Sequence, residues 1–93
     1  MLSVDCDPAS GGWRCTVRVG DDAAATEHVV DVDRATLDAF APGASPEHLV
    51  RESFAFLLER EPRESIMRAF ELPMIARFFG EYPDEIRRRM RRD

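Results

Sequence analysis

A chain of 93 residues, 44% of them hydrophobic, has enough apolar material for one folded domain and is too short for two. Its net charge is −5, and all 13 basic residues are arginine, so no lysine amine is available for Schiff-base chemistry. The negative charge lies in residues 1–50, where nine acidic residues stand against three arginines. Because this half should repel polyanions, a general nucleic-acid binder is disfavoured.

The first third of the chain predicts an antiparallel β-meander with strands at about 2–7, 13–19 and 26–32. Apolar and polar residues alternate in all three segments. A two-residue turn at Ser10-Gly11 makes Cys6 face Cys15, and a second turn after Gly20 makes Cys15 also face Val30. One face of the sheet is then apolar. The polar face carries Asp5, Asp7, Arg14, Thr16, Arg18, Glu27 and Asp31.

The rest of the chain predicts four or five short helices, which should pack on the apolar face of the sheet. Asp33 is a suitable N-cap for a helix that ends near Ala41, and Ser45-Pro46 begins a longer helix that runs to about Arg60. This longer helix has apolar residues on more than one side, which predicts a central position. The fold class is therefore α+β, in a single domain over residues 1–93.

Within that domain, the β-meander occupies residues 1–32 and the helical part residues 33–93. Pro62 begins a further helical turn or two, because Ile66, Met67 and Phe70 follow at helical spacing. A short apolar segment comes next. The last helix starts near Tyr82.

The two cysteines are predicted neighbours across the first two strands. Eight residues separate Cys6 from Cys15, and neither belongs to the Cys-x-x-Cys pairs that are typical of zinc sites. We favour two reduced thiols that are neighbours in the core, and the alternatives are a disulfide, reversible redox chemistry or a metal site. With two cysteines and no export signal at the N-terminus, the expected location is the reducing cytoplasm.

No set of residues has the arrangement that catalysis requires. A catalytic triad needs three groups in one pocket, whereas His28 lies in a predicted strand and His48 at a helix start, where we expect a core and a surface residue. Asp5, Asp7 and Asp31 either hold a divalent cation or, as we favour, keep the polar sheet face soluble. Since no glycine-rich phosphate loop precedes a helix, the sequence predicts no enzyme, no cofactor and no metal site.

Arginines dominate the C-terminus. They are Arg87, Arg88, Arg89, Arg91 and Arg92. Such a cluster suits the phosphates of a nucleic acid or the carboxylates of an acidic partner. The alternative is a solvated helix end, because Asp84–Arg88 and Glu85–Arg89 have the spacing of ion pairs within a helix.

A second unusual feature is the apolar run at residues 70–82, which has seven large apolar side chains in 13 positions. One side of short helices does not readily bury so many. The candidate contacts with a partner are Met74, Phe78, Phe79 and Tyr82, because methionine and aromatic residues are enriched at protein interfaces. The alternative is that the run only closes the core.

Part of the C-terminal half resembles other sequences. Residues 52–66 (ESFAFLLEREPRESI), followed by Phe70 and by Phe79-Gly80-Glu81-Tyr82-Pro83, resemble the C-terminal half of small bacterial proteins of roughly this size. The resemblance implies a bacterial origin. It implies no activity and no binding residues.

Together these features predict a cytoplasmic, non-enzymatic accessory or regulatory module. It would act through protein–protein contacts of its apolar C-terminal helices, with a larger partner or as a homo-oligomer. The alternative is a small nucleic-acid-associated regulator that uses the C-terminal arginines, which a basic face continuous with Arg60, Arg63, Arg68 and Arg77 would favour. No stretch approaches the roughly 18 apolar residues of a membrane span, so no membrane role is expected.

Overall fold

The computed structural model describes residues 1–91, which form a four-stranded sheet with helices on one face. The strands, in sheet order, are β1 (Leu2–Ala9), β2 (Gly12–Val19), β3 (Thr26–Asp33) and β4 (Ala69–Glu71). The helices are α1 (Arg34–Phe40), α2 (Pro46–Leu58), α3 (Ile75–Phe78) and α4 (Tyr82–Arg91), with 3-10 turns at Arg63–Ser65 and Leu72–Met74. Within this range, no helix is both long enough and apolar enough to cross a lipid bilayer.

The register of the meander is the one that the turns predict. β1 and β2 pair antiparallel with Val4 opposite Val17 and Cys6 opposite Cys15. β2 and β3 also pair antiparallel, and Val17 there lies opposite His28. A slip of one residue would turn the apolar side chains to solvent, so the register decides which residues are buried.

The two faces of the sheet have opposite character. The inner face, which α2 covers, carries the buried residues Val4, Cys15, Val17, Val19, His28, Val30 and Val32. The outer face is open to solvent, and ion pairs join its strands: Arg14 Nε lies 2.8 Å from Asp31 Oδ1, and Arg18 Nη1 lies 3.2 Å from Glu27 Oε2. The predicted polar face is therefore confirmed, and each of its two arginines pairs with an acid on the neighbouring strand.

Both predicted helix N-caps are confirmed. The Asp33 carboxylate accepts a hydrogen bond of 2.7 Å from the Thr36 amide, and the Ser45 hydroxyl accepts one of 3.1 Å from the His48 amide. Each bond satisfies a backbone N–H that the helix itself cannot pair. Hydrogen bonds from Thr36 also hold the pKa of Asp33 below its ordinary value.

α2 lies at the centre of the molecule, as its wide apolar surface predicts. Phe54 faces the sheet, where its ring centroid is 5.3 Å from that of His28. Phe56 lies about 200° further round the helix and faces α4, with its ring centroid 5.2 Å from that of Tyr82. The core thus has two layers, one between α2 and the sheet and the other between α2 and α4.

The fourth strand corrects the sequence prediction. Instead of a helix between Pro62 and Phe70, only Arg63–Ser65 form a helical turn, and β4 pairs in parallel with β3. This pairing places Phe70 against Phe54, with ring centroids 6.1 Å apart. Such contacts join distant parts of the chain, and here they outweigh the helical spacing of the apolar residues in this segment. The sheet therefore has four strands rather than three, and residues 33–93 are not entirely helical.

Cys6 and Cys15 are joined by a disulfide that links β1 to β2. Their position on facing strands is the predicted one, but the favoured state, two reduced thiols, is not the state in the structure. Directly opposite residues of antiparallel strands have Cβ atoms about 4.5–5.5 Å apart, and this closeness is what allows the bond. Cys15 is fully buried and Cys6 is half-buried.

Candidate functional site

The apolar run at residues 70–82 divides between the core and the surface. Its buried members are Leu72, Ile75 and Tyr82, and its half-buried members are Phe70, Met74 and Phe79. Phe78 differs from all of these, because 64% of its surface is exposed. Closing the core therefore accounts for most of the run but not for Phe78.

A groove of about 170 Å³ opens beside Phe78. It is formed by the end of α2, the segment after it, β4 and α3. Its lining residues are Leu57, Glu61, Ser65, Ile66, Met67, Phe70, Ile75, Phe78 and Phe79. Met67, which is 40% exposed, and Phe78 are the most exposed apolar residues in this lining. A concave, mostly apolar surface with a few polar groups is the usual form of a binding site.

Aromatic contacts with the core hold two walls of the groove. Phe70 stacks on Phe54 from α2, and Phe79 packs edge-on against Phe56 with ring centroids 5.8 Å apart. Both partners on α2 are fully buried. α3 ends after a single turn because Phe79 has an extended backbone (φ −132°), so Phe79 packs inward while Phe78 stays exposed.

One lining residue, Glu61, has a carboxylate that lacks a polar partner among the described residues. It is half-buried, and its side chain makes no hydrogen bond or ion pair with any residue in the range 1–91. The neighbouring Arg60 is different, because its guanidinium lies 3.1 Å from Glu81 and 3.7 Å from the centroid of the Phe56 ring. A carboxylate that is partly withdrawn from water gains from a cationic partner. The groove therefore suits a ligand that is apolar and carries a positive charge.

The four predicted contact residues occupy different positions. Phe78 and Phe79 line the groove, whereas Met74 is half-buried outside the lining. Tyr82 is fully buried, and its hydroxyl lies 2.7 Å from the Ser53 Oγ, so Tyr82 is removed from the candidate contacts. Burial also raises the pKa of the Tyr82 phenol.

Sequence reasoning did not find most of the groove. Leu57 and Ile66 appear in the sequence as ordinary apolar residues, and Glu61 is one of several acids in a charged segment. No pattern in the sequence distinguishes Glu61 from Glu59, which pairs with Arg89 across 2.6 Å. Only the path of the chain into β4 reveals which of the two faces the groove.

The C-terminal arginines are largely engaged within the molecule. Arg89 pairs with Glu85 at 2.9 Å, the predicted contact within α4, and it also reaches Glu59 at the end of α2. Its hydrogen bond to Glu59 lowers the pKa of that carboxyl. Arg88 pairs with Glu85, and Arg87 donates to the Ala39 carbonyl at 3.1 Å. The contacts of Arg89 with Glu59 and of Arg87 with Ala39 join α4 to the rest of the domain.

Arg60 and Arg63 are paired with acidic side chains, so they do not extend this cluster into one basic face. Arg91 is exposed, and Arg92 lies outside the described residues. Arg63 pairs with Asp22 at 3.7 Å and with Glu64 at 3.4 Å, as Arg60 pairs with Glu81. Acidic side chains therefore lie among the arginines that a nucleic acid would have to contact.

The two histidines occupy separate positions. His28 is fully buried, and its Nδ1 donates to the Met67 carbonyl at 2.8 Å while its Nε2 lies 2.9 Å from the Thr26 hydroxyl. His28 is thus a satisfied core residue, as predicted. His48 lies on α2, with its Nε2 3.9 Å from a Glu52 oxygen. Within residues 1–91, no three His, Cys, Asp or Glu side chains are grouped in a way that could hold a metal ion.

A second depression, of about 290 Å³, lies near Trp13 and is lined by polar and apolar groups in similar proportion. Two of its charged residues already have structural roles, because Asp31 pairs with Arg14 and Asp33 caps α1. The Trp13 ring itself is covered by Arg34, whose guanidinium carbon is 5.1 Å from the ring centroid. The groove beside Phe78 is therefore the stronger candidate.

No protein-family model matches this chain, and no curated protein and no solved structure is significantly similar to it.

Proposed function

We propose that this protein is a non-enzymatic accessory or regulatory module that binds protein through the groove between α2, β4 and α3. The observation that carries the proposal is the 64% exposure of Phe78 at an apolar groove. Exposed aromatic residues beside concave apolar surfaces are typical of interaction sites. Burying the ring in a complex would release water from both surfaces, which favours association.

The groove also specifies the chemistry of its partner. Apolar walls at Phe70, Ile75 and Phe79 suit one large apolar side chain, and Glu61 suits a cation next to it. We therefore infer a protein segment in which an aromatic or aliphatic residue is adjacent to an arginine or lysine. A charge-assisted bond to Glu61 would add orientation to the apolar contact.

The nucleic-acid alternative has less support. It needs a continuous basic face, whereas Arg60, Arg63 and Arg89 are each paired with acidic side chains of the same molecule. Breaking these pairs to contact phosphates would leave the acids beside a polyanion. We therefore base the proposal on the groove.

A cytoplasmic location belongs to the same proposal, on sequence grounds alone. The Cys6–Cys15 disulfide weighs against it, because disulfides rarely persist in a reducing cytoplasm. Thiol alkylation in intact cells, before lysis, separates the possibilities. Alkylation of both cysteines would support the cytoplasm, and protection of both until a reductant is added would contradict it.

Selection of random phage-displayed peptides on the immobilised protein tests the proposed function. We expect enrichment of peptides that pair an apolar residue with a basic one, and loss of their binding in a Phe78→Ser variant. Val29→Thr is the matched control, because Val29 is an exposed apolar residue (37%) on the outer sheet face. Peptides that bind all three proteins equally, or no enrichment on a protein that is monomeric, would refute the proposal.

A further inference from the structure

The chain itself contains the two groups that we infer for the partner of the groove, a large apolar side chain and an adjacent basic one. Arg77 and Phe78 are adjacent on α3, and both are exposed. Arg77 makes no ion pair with any residue that the structure describes, and neither does Glu61. An exposed phenyl ring next to an unpaired guanidinium therefore lies at the edge of an apolar groove with an unpaired carboxylate.

We propose that the groove is occupied by a second copy of this chain in a two-fold dimer. Phe78 of each copy enters the groove of the other, and Arg77 of each copy pairs with Glu61 of the other. This inference rests on the proposed function, since it names the partner of the same groove. A two-fold interface uses the same patch on both subunits, so a patch that holds both the projecting ring and the receiving groove is self-complementary.

The distribution of charge supports a second copy. Residues 51–93, which supply the groove and α3, hold ten arginines against nine acidic residues, so two such surfaces face each other with little net repulsion. The excess of acid lies in residues 1–50, whose charged strand residues point to the outer face of the sheet. The proposed contact thus uses the electrically balanced half of the molecule.

Charge reversal provides a test that depends on pairing between copies. We expect Glu61→Arg and Arg77→Glu, each alone, to raise the dissociation constant of the dimer by about a hundredfold or more, because like charges then meet twice across the interface. An equimolar mixture of the two variants should form a heterodimer, since both contacts become attractive. The double variant Glu61→Arg/Arg77→Glu should dimerise alone.

Light scattering coupled to size-exclusion chromatography measures these states over a range of concentrations. Wild type and Val29→Thr should be dimers at high concentration, and Phe78→Ser should be a monomer with unchanged circular dichroism. A monomeric wild type overturns the inference, and so does a dimer that survives Phe78→Ser or a mixture that stays monomeric.

The peptide selection separates failure of this inference from failure of the proposed function. If the wild type is a monomer that still selects Phe78-dependent peptides, the groove binds other proteins and only the dimer is refuted. If a monomeric wild type selects none, both are refuted.

Discussion

The outer face of the sheet and the groove beside Phe78 are both open to solvent, yet they differ in composition. On the sheet, charged side chains pair across neighbouring strands, and Val29 is its exposed large apolar residue at 37%. At the groove, Phe78 and Met67 are exposed by 64% and 40% beside an unpaired carboxylate. Apart from Met1 at the terminus, the most exposed large apolar side chains in residues 1–91 thus lie together at the groove.

The difference follows from the length of the elements. β1, β2 and β3 have eight residues each. Because successive side chains of a strand point to opposite faces, apolar residues that alternate with polar ones all lie on one face. β4 and α3 have three and four residues, too few for a continuous buried face. Exposed apolar surface in a small domain therefore concentrates where the elements are shortest.

The largest predicted effect contrasts two phenylalanines near the groove. Phe56→Ala should lower the free energy of unfolding by about 3–5 kcal/mol, because it removes a fully buried ring between α2 and α4. Phe78→Ser should change it by less than about 0.5 kcal/mol, since most of that ring is already in water. Urea denaturation measures both. A comparable loss in the two variants would show that Phe78 belongs to the core.

A second prediction concerns the link between β1 and β2. Reducing the Cys6–Cys15 disulfide should lower the free energy of unfolding by about 2–3 kcal/mol, because the unfolded chain regains the freedom that the closed loop had lost. Thermal melts with and without a dithiol reductant measure the loss, and a Cys6→Ala/Cys15→Ala variant, insensitive to the reductant, is the control. Identical melts of the wild type would mean that strand pairing alone holds the hairpin.

The third prediction uses the single tyrosine of the chain. Tyr82→Phe should cost about 1–2 kcal/mol, because the buried Ser53 hydroxyl loses a hydrogen bond of 2.7 Å. The raised pKa of Tyr82 favours the neutral phenol in the folded state, so this contribution is complete below the ordinary value of 10.0 and declines as pH rises above it.

The titration of Tyr82 gives a direct measurement of that decline. Absorbance of tyrosinate should appear together with unfolding at alkaline pH, and the Tyr82→Phe variant should lose stability less steeply above pH 10.0. Ionisation of the phenol at its ordinary pKa in the folded protein would contradict the burial of Tyr82, which is the cause of the raised pKa.

The smallest effect is expected on the outer sheet face. Arg14→Gln removes the ion pair with Asp31, and both of these side chains are largely exposed, at 65% and 45%. We expect a loss smaller than any of the preceding ones, and it should disappear in high salt because exposed ion pairs are screened. Thermal melts at low and high salt compare the variant with wild type. A loss that persists in high salt would point to packing by the Arg14 stem.

The meander and the helix starts could be predicted because their determinants are local. The turn at Ser10-Gly11 and the alternation around it decide the register, and Asp33 and Ser45 mark two helix starts through bonds to amides three residues away. Each of these features depends on neighbours within one hairpin or one helical turn. No distant partner is needed to find them.

β4 and the groove could not be predicted because their determinants are distant in the chain. Ile66 and Phe70 are four residues apart, which fits a helix, and only the pairing of Phe70 with Val30 selects a strand. The same pairing places Glu61 beside the groove rather than in solvent. The disulfide could not be predicted either, because the strand pattern indicates that Cys6 and Cys15 are close but not whether they are oxidised.

The hydrogen bond from His28 to the Met67 carbonyl implies an order of events during synthesis. The first three strands leave the ribosome well before Met67 and β4, so a nascent sheet carries an imidazole whose carbonyl partner does not yet exist. That face of the sheet should remain hydrated until residues 67–71 arrive, because a buried polar group without a partner is costly. Final closure of the domain is a still later step, because α4 follows β4 in the chain and supplies the fully buried Tyr82 and Ile86.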